Sequence, residues 1–279
     1  MRMPVIRLTS RCPCGILPAA MIDDIDARLE FAAALARDAG ALAMRYFRRE
    51  LDYSPESKSD VQDWVSVADR SVEALCRTRL AEAFPGDAMF GEEGGGTIGA
   101  RTWLVDPIDG TLNFVHDVRY WCISIALLEE GVRKVGAVYD PPHDELFLAA
   151  KGRGAHANGQ PIHASSCKSL DRALLMHGYV QRHDLDAHLR LRRRLLETGA
   201  EVKNHGAGAL MLAHVAAGRF DAYLEPHMHP WDATAGLLLV EEAGGRMLAY
   251  PGADGLRAGG AVLATAPALY DALAAITGW

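Results

Sequence analysis

The chain has 279 residues, of which 49% are hydrophobic, 23% charged and 7% aromatic. That length buries a substantial core, and the composition excludes disordered, collagen-like and coiled-coil classes. With 29 basic against 36 acidic residues the net charge is −7, which argues against general nucleic-acid binding, since that needs a basic face. A small phosphorylated substrate is still compatible, because bound metal ions can supply positive charge.

Residues Met1 to Ala20 carry Arg2, Arg7 and Arg11 but no continuous apolar run, so they do not read as a signal peptide. No stretch reaches the roughly 18 apolar residues of a membrane span. Residues 1–21 are expected to form a disordered extension, or to reflect start-codon choice. Residues 22–279 are expected to be a single domain in two halves, about 22–180 and 181–279, with the active site between them. The five cysteines are Cys12, Cys14, Cys76, Cys122 and Cys167. An odd number without repeated Cys-x-x-Cys pairs is neither a disulfide framework nor a thiolate zinc site. Reduced cysteines and a cytoplasmic location are the expectation.

From Ile22 to about Arg48 an Ala-rich amphipathic pattern, including Leu29, Ala32, Leu35 and Ala36, predicts a helix. A polar loop, Asp52 to Asp63, precedes a second predicted helix from Asp69 to Phe84, stopped by Pro85-Gly86. Short strands follow at Ala88–Phe90 and Thr102–Val105. The character then turns to β, with strands at Ile123–Leu128, Val132–Tyr139 and Leu146–Ala149. Asn158-Gly159 marks a hairpin, and Leu174–Gly178 is another strand. The helix from Asp184 to about Thr198 carries Arg190, Arg192, Arg193 and Arg194, either a solvated face or an anion or RNA patch. A helix over Gly208–Ala217, a strand at Phe220–Leu224, a helix at Trp231–Ala243 and a strand at Met247–Tyr250 follow. Strand Ala261–Ala264 and helix Pro267–Ile276 close the chain. Helices and strands mix throughout, so the fold class is an α/β sandwich.

The densest chemical signal is Trp103-Leu104-Val105-Asp106-Pro107-Ile108-Asp109-Gly110-Thr111. An apolar strand delivers two carboxylates around a proline. Gly110 lets a backbone approach a ligand closely, and Thr111 offers a hydroxyl where a helix starts. Such a group suits a hard divalent cation plus a phosphate, although a turn at Asp106-Pro107 and a helix cap at Asp109 would also explain it. Glu92-Glu93 sits in a glycine-flanked loop, where adjacent carboxylates repel unless a cation or water shares them. Asp232 opens an apolar helix running to Gly244-Gly245, where it would complement the dipole. The pair His227 and His229 has zinc-ligand character, but stands beside an oxygen-rich site that prefers Mg²⁺.

Gly91-Glu92-Glu93, then Trp103 through Phe114, then Trp231-Asp232 through Glu242-Ala243-Gly244-Gly245 closely resemble the motifs of the inositol monophosphatase family. That family comprises lithium-sensitive, magnesium-dependent phosphomonoesterases. The match runs from about Ile22 to Ile276. The resemblance implies an alternating α/β/α/β/α sandwich of the inositol monophosphatase and fructose bisphosphatase type. It implies metal ligation by Glu92, Asp106, the Ile108 carbonyl, Asp109 and Asp232, and roughly two or three Mg²⁺ ions. It places Glu92 and Thr111 with the attacking water, and Asp69 in its network. Lys58 falls near a family lysine and reads more simply as a loop residue.

The resemblance further implies substrate contacts from Asp109, Gly110, Thr111, Gly206, Ala207, Gly208, Glu225 and Asp232. Where relatives show R-S-x-G-[ST]-A-A, this chain has Lys203-Asn204-His205-Gly206-Ala207-Gly208-Ala209. These departures lie in the substrate pocket. Lysine loses the planar fork of arginine, and Gly208 makes the wall smaller. A small phosphorylated polyol such as inositol monophosphate ranks first, histidinol phosphate second, and 3′-phosphoadenosine 5′-phosphate or fructose 1,6-bisphosphate behind them. A regulatory or RNA-machinery partner with the same fold is the non-catalytic alternative. A homodimer is expected, with neither a membrane nor nucleic acid as partner.

Overall fold

The structure is a computed structural model that describes residues 25–52, 56–57, 64–65, 67–179, 184–250 and 255–279, with backbone alone at 56–57 and 64–65. The expectations for residues 1–21, Cys12, Cys14 and Lys58 lie outside the described residues.

Helix α1 (Ile25–Phe47) buries Ala32, Leu35, Ala36, Ala39 and Ala43, the stripe that its alanine spacing predicts. Two short strands, β1 (Glu56–Ser57) and β2 (Trp64–Val65), then pair antiparallel. Helix α2 (Val67–Ala83) turns Val72, Cys76 and Leu80 inward. Then come β3 (Ala88–Gly91), β4 (Gly95–Gly96), β5 (Arg101–Asp109) and the short helix α3 (Thr111–Val115). A meander of β6 (Cys122–Glu129), β7 (Val132–Asp140) and β8 (Glu145–Ala150) leads to the hairpin β9 (Ala155–Ala157) and β10 (Gln160–Ile162). Asn158 and Gly159 turn that hairpin at φ 46 and 78°, as an Asn-Gly pair favours.

The remainder comprises β11 (Leu174–His177), α4 (Leu185–Glu197), β12 (Glu201–Lys203), α5 (Gly208–Ala216), β13 (Ala222–Met228), α6 (Pro230–Glu242), β14 (Arg246–Met247), α7 (Gly255–Ala258), β15 (Gly260–Thr265) and α8 (Tyr270–Thr277). Two sheets carry the fold. The larger has order β10-β9-β8-β7-β6-β5-β3-β4 and the smaller β12-β11-β13-β15-β14. The second sheet therefore begins at Leu174, slightly ahead of residue 180.

Three apolar clusters separate five layers. Residues of α1 and α2, such as Leu35 and Val72, pack with Ile123 and Ile125 on one face of the large sheet. Helices α5 and α6 lie between the sheets, where Leu210, Leu212 and Leu238 meet Ala126, Phe147 and Tyr223. Leu195 of α4 and Leu273 of α8 close the outer face of the small sheet over Leu175 and Leu263. The alternating α/β/α/β/α sandwich is thus present, each layer burying a face that it cannot bury alone.

Several elements differ from the sequence expectation. Strand β5 runs on past Val105 to Asp109, because β6 continues to pair with it through a bulge: Asp106 faces Ser124 and Asp109 faces Cys122. Pro107 has no N–H to give the ladder, which suits that bulge. Strand β13 likewise extends through Glu225 to Met228 opposite β15, with an irregularity that spans Pro226. The strand expected at Met247–Tyr250 shrinks to two residues, and Tyr250 instead donates its hydroxyl to the Met228 carbonyl at 2.9 Å. β12 lacks a pattern long enough to be read beforehand.

Candidate active site

The bulge in β5 sets the geometry of the site. Asp106 accepts the Ile108 N–H at 2.9 Å, which folds the Asp-Pro-Ile corner around its own carboxylate. Gly110 follows at φ 91°, a left-handed conformation that suits glycine, and a β-carbon there would approach the Gly206 carbonyl at 3.3 Å. The Thr111 hydroxyl lies 3.0 Å from the Ile108 carbonyl and 3.3 Å from the Asp69 carboxylate of α2.

Carboxylate oxygens of Glu92, Asp106 and Asp232 all lie within 4.8 Å of one another. They come from the loop after β3, from β5 and from the first turn of α6 respectively. Burial pushes the Asp106 and Asp232 carboxyls well above the usual carboxylate range, and the charge of Glu92 adds to the effect on both. Carboxylates so placed destabilise one another without a shared cation. An all-oxygen donor set fits a hard divalent cation such as Mg²⁺, so this cluster could hold a metal ion. His227 and His229 do not join it: His227 Nε2 lies 2.6 Å from the Ala258 carbonyl, and His229 stacks on Trp231 at 4.7 Å.

Asp109 stands apart from these three oxygens. Its carboxylate accepts the backbone N–H groups of Gly208, Ala209 and Leu210 at 3.1, 2.8 and 3.3 Å, and the Cys122 thiol at 3.4 Å. It therefore caps α5 from outside that helix. Burial raises its pKa to about 6 against the downward pull of those donors.

A cleft of about 160 Å³ opens beside the cluster, lined among others by Asp109, Gly178, Gly206, Gly208, Glu225 and Asp232. Glu225 lines the cleft, and burial pushes its carboxyl up to about 7. Ala207, expected on the same wall, is fully buried beneath it. Gly110 and Thr111 sit at the α3 end of the site and are not among the residues lining this cleft.

Three supporting residues escaped the sequence reading. Buried Glu73 of α2 accepts the N–H groups of Glu93 and Gly94 at 2.7 and 3.0 Å, fixing the loop that carries Glu92. The Asn113 amide donates to the carbonyls of Tyr120 and His205, both at 2.7 Å, and ties α3 to the Gly206 wall. Tyr223 donates its hydroxyl to Glu225 Oε2. Asn113 lies within the Trp103–Phe114 motif, whereas the sequence around Glu73 and Tyr223 does not mark these supporting roles.

A sequence model of the inositol monophosphatase family matches residues 24–278. This chain belongs to the inositol monophosphatase family. Among its relatives, the "Nus factor SuhB" of Pseudomonas aeruginosa is 40% identical over 233 residues, which cover 80% of this chain and 86% of that protein. The "Inositol-1-monophosphatase" of Bacillus subtilis is 37% identical over 225 residues, covering 77% and 83%. Among solved structures, the extragenic suppressor protein suhB from Bartonella henselae superposes with a TM-score of 0.84 at 30% identity, covering 90% of this chain and 98% of that one. The family match and the superposition thus agree with the fold described above.

Proposed function

We propose that this chain is a Mg²⁺-dependent phosphomonoesterase that hydrolyses a small phosphorylated polyol, inositol monophosphate or a similar sugar or alcohol phosphate. The observation that carries the reading is the convergence of the Glu92, Asp106 and Asp232 oxygens beside a cleft that Glu225 also lines. Glu92, Asp106, the Ile108 carbonyl, Asp109 and Asp232 would hold the metal. When bound, Mg²⁺ supplies the positive charge that offsets the phosphoryl oxygens and the leaving alkoxide.

The chain's own groups do the rest. Thr111, oriented by Asp69 and the Ile108 carbonyl, holds the attacking water, and Glu92 takes its proton as the oxygen adds to phosphorus. Backbone N–H groups at Gly110 and Thr111 orient the phosphate. The P–O bond to the leaving oxygen breaks, that oxygen takes a proton from solvent water, and the alcohol leaves into the wall formed by Gly206, Gly208 and Glu225. Ala207 supports that wall from below.

Phosphate release from inositol 1-phosphate, histidinol phosphate, fructose 1,6-bisphosphate and 3′-phosphoadenosine 5′-phosphate tests the reading. Preference for inositol 1-phosphate is expected. A clear preference for histidinol phosphate would reassign the substrate while keeping the chemistry.

A second reading accompanies the first, because the Pseudomonas aeruginosa relative is named a Nus factor. It gives this chain a regulatory role, with α4 as the surface involved, since Arg190, Arg193 and Arg194 are exposed there. The first reading also includes a homodimer in the cytoplasm, and light scattering measures the former. No helix among the described residues is long and apolar enough to cross a membrane.

A further inference from the structure

We propose that Tyr223 is a positioning residue that sets the leaving-group specificity of the cleft by holding Glu225, and that Gly178 and Gly208 are glycines to make room for this pair. The proposal rests on the phosphatase reading above and adds to it a determinant of substrate choice.

Tyr223 is fully buried in β13, two residues before Glu225, so both side chains leave the strand on the same face. Its hydroxyl donates to Glu225 Oε2. Glu225 Oε1 has no hydrogen-bond partner among the described residues, although the side chain lines the cleft. One oxygen is thus fixed by the protein and the other is left to accept from a ligand. A carboxylate anchored in this way presents its acceptor in one orientation, which favours a leaving group with a hydroxyl at the matching place.

The two glycines flank the pair. A β-carbon on Gly178 would come within 2.0 Å of Glu225 Oε2 and 2.8 Å of the Tyr223 hydroxyl. One on Gly208 would meet the Met228 methyl at 2.7 Å and the Tyr223 hydroxyl at 3.1 Å. Alanine at Gly178 displaces the Glu225 carboxylate, because real β-carbon contacts do not fall so short. At Gly208 the flexible end of Met228 gives way first, with a smaller effect on Tyr223. The Gly208 departure from the family pattern therefore has a physical partner: Met228 and Tyr223 occupy the space that an alanine methyl would need.

The test compares inositol 1-phosphate with p-nitrophenyl phosphate, whose leaving group has no hydroxyl besides the one released. Tyr223→Phe keeps the ring and removes only the donor. The expected result is a fall of about tenfold in the ratio of kcat/KM for inositol 1-phosphate over p-nitrophenyl phosphate, the scale of one hydrogen bond. The loss should fall mainly on KM. In a Glu225→Gln background the same change should have little further effect, because Tyr223 acts through Glu225. Gly178→Ala should lower the same ratio with Tyr223 intact. An unchanged ratio in Tyr223→Phe, or additive losses in the double variant, would overturn the positioning role while leaving the phosphatase reading in place. Wild-type protein that releases phosphate from neither compound would overturn that reading, and this inference with it.

Discussion

Asp109 accepts a hydrogen bond from the backbone N–H of Ala209, 2.8 Å away and 100 positions further along the chain. Through it, β5 of the large sheet holds the first turn of α5, which also forms part of the cleft wall. The residue therefore couples the layer that carries the acidic cluster to the layer that shapes the pocket.

Asp109→Ala leaves the N–H groups of Gly208, Ala209 and Leu210 without this acceptor. We expect a loss of about 2 kcal/mol in unfolding free energy, the range of a lost cap. Asp109→Asn keeps one acceptor oxygen and most of the stability, yet turnover falls by about 100-fold or more in both. Urea unfolding alongside phosphate release separates the two effects. An unchanged unfolding midpoint in Asp109→Ala would remove the capping role.

Mutual repulsion within the acidic cluster predicts a second outcome. Without metal, Asp106→Asn should melt at or above the wild-type temperature, because a neutral amide replaces a buried carboxyl whose ionisation burial and Glu92 both oppose. Added Mg²⁺ should stabilise the wild type by about 2.7 kcal/mol at a hundred times its Kd and the variant far less. Thermal melts with and without chelator measure both. Equal Mg²⁺ effects on the two proteins would place the ion elsewhere.

The parts of this site that could be read from the sequence are those in which one short segment delivers several groups. Asp106 and Asp109 share a strand end with Thr111 just beyond it, Glu92 sits in its own glycine-flanked loop, and Asp232 opens a helix. What stayed hidden acts across the fold. Glu73 faces a loop 20 residues later, and Asn113 reaches the His205 carbonyl 92 residues away. Strand ends were similarly obscured, since β5 and β13 continue past their apolar runs only because antiparallel partners keep pairing with them. For β12, the Glu-Val-Lys alternation is too short to distinguish a strand from a loop.

His177 predicts a pH effect on stability. It is fully buried at the end of β11, stacks on His188 at 4.3 Å, and neither ring nitrogen has a hydrogen-bond partner among the described residues. Burial, with His188 and Arg192 nearby, holds it neutral down to about 3. The unfolded chain takes up this proton near 6.5 and the folded chain does not. Stability therefore falls as pH drops below 6.5, by up to about 1.4 kcal/mol per pH unit from this group. Asp109 and Glu225, whose folded-state carboxyls are raised, act in the opposite sense. The difference between wild type and His177→Phe isolates the histidine. Unfolding free energies at pH 7.5, 6 and 5 should show a shallower decline in the variant, and parallel curves would contradict the assignment.

Helix α4 carries the weakest interactions of the set. Arg190 lies 3.6 Å from Asp184 and Arg193 lies 2.9 Å from Glu197, all four side chains exposed. Such pairs contribute about 0–1 kcal/mol. Arg190→Ala and Arg193→Ala should change unfolding free energy by no more than about 0.5 kcal/mol each and leave phosphate release intact. Loss of turnover in either would tie α4 to the active site and remove it as a separate surface.

In the proposed function, three carboxylates from separate elements form one metal-dependent hydrolytic centre. Its most direct test is the initial rate of phosphate release from inositol 1-phosphate across a Mg²⁺ titration, in wild type and in Asp106→Asn. The predicted result is a rate in the wild type that rises from near zero and saturates with Mg²⁺, and a loss of about 100-fold or more in the variant at every concentration. Phosphate release independent of Mg²⁺, or retained in Asp106→Asn, would rule out such a centre.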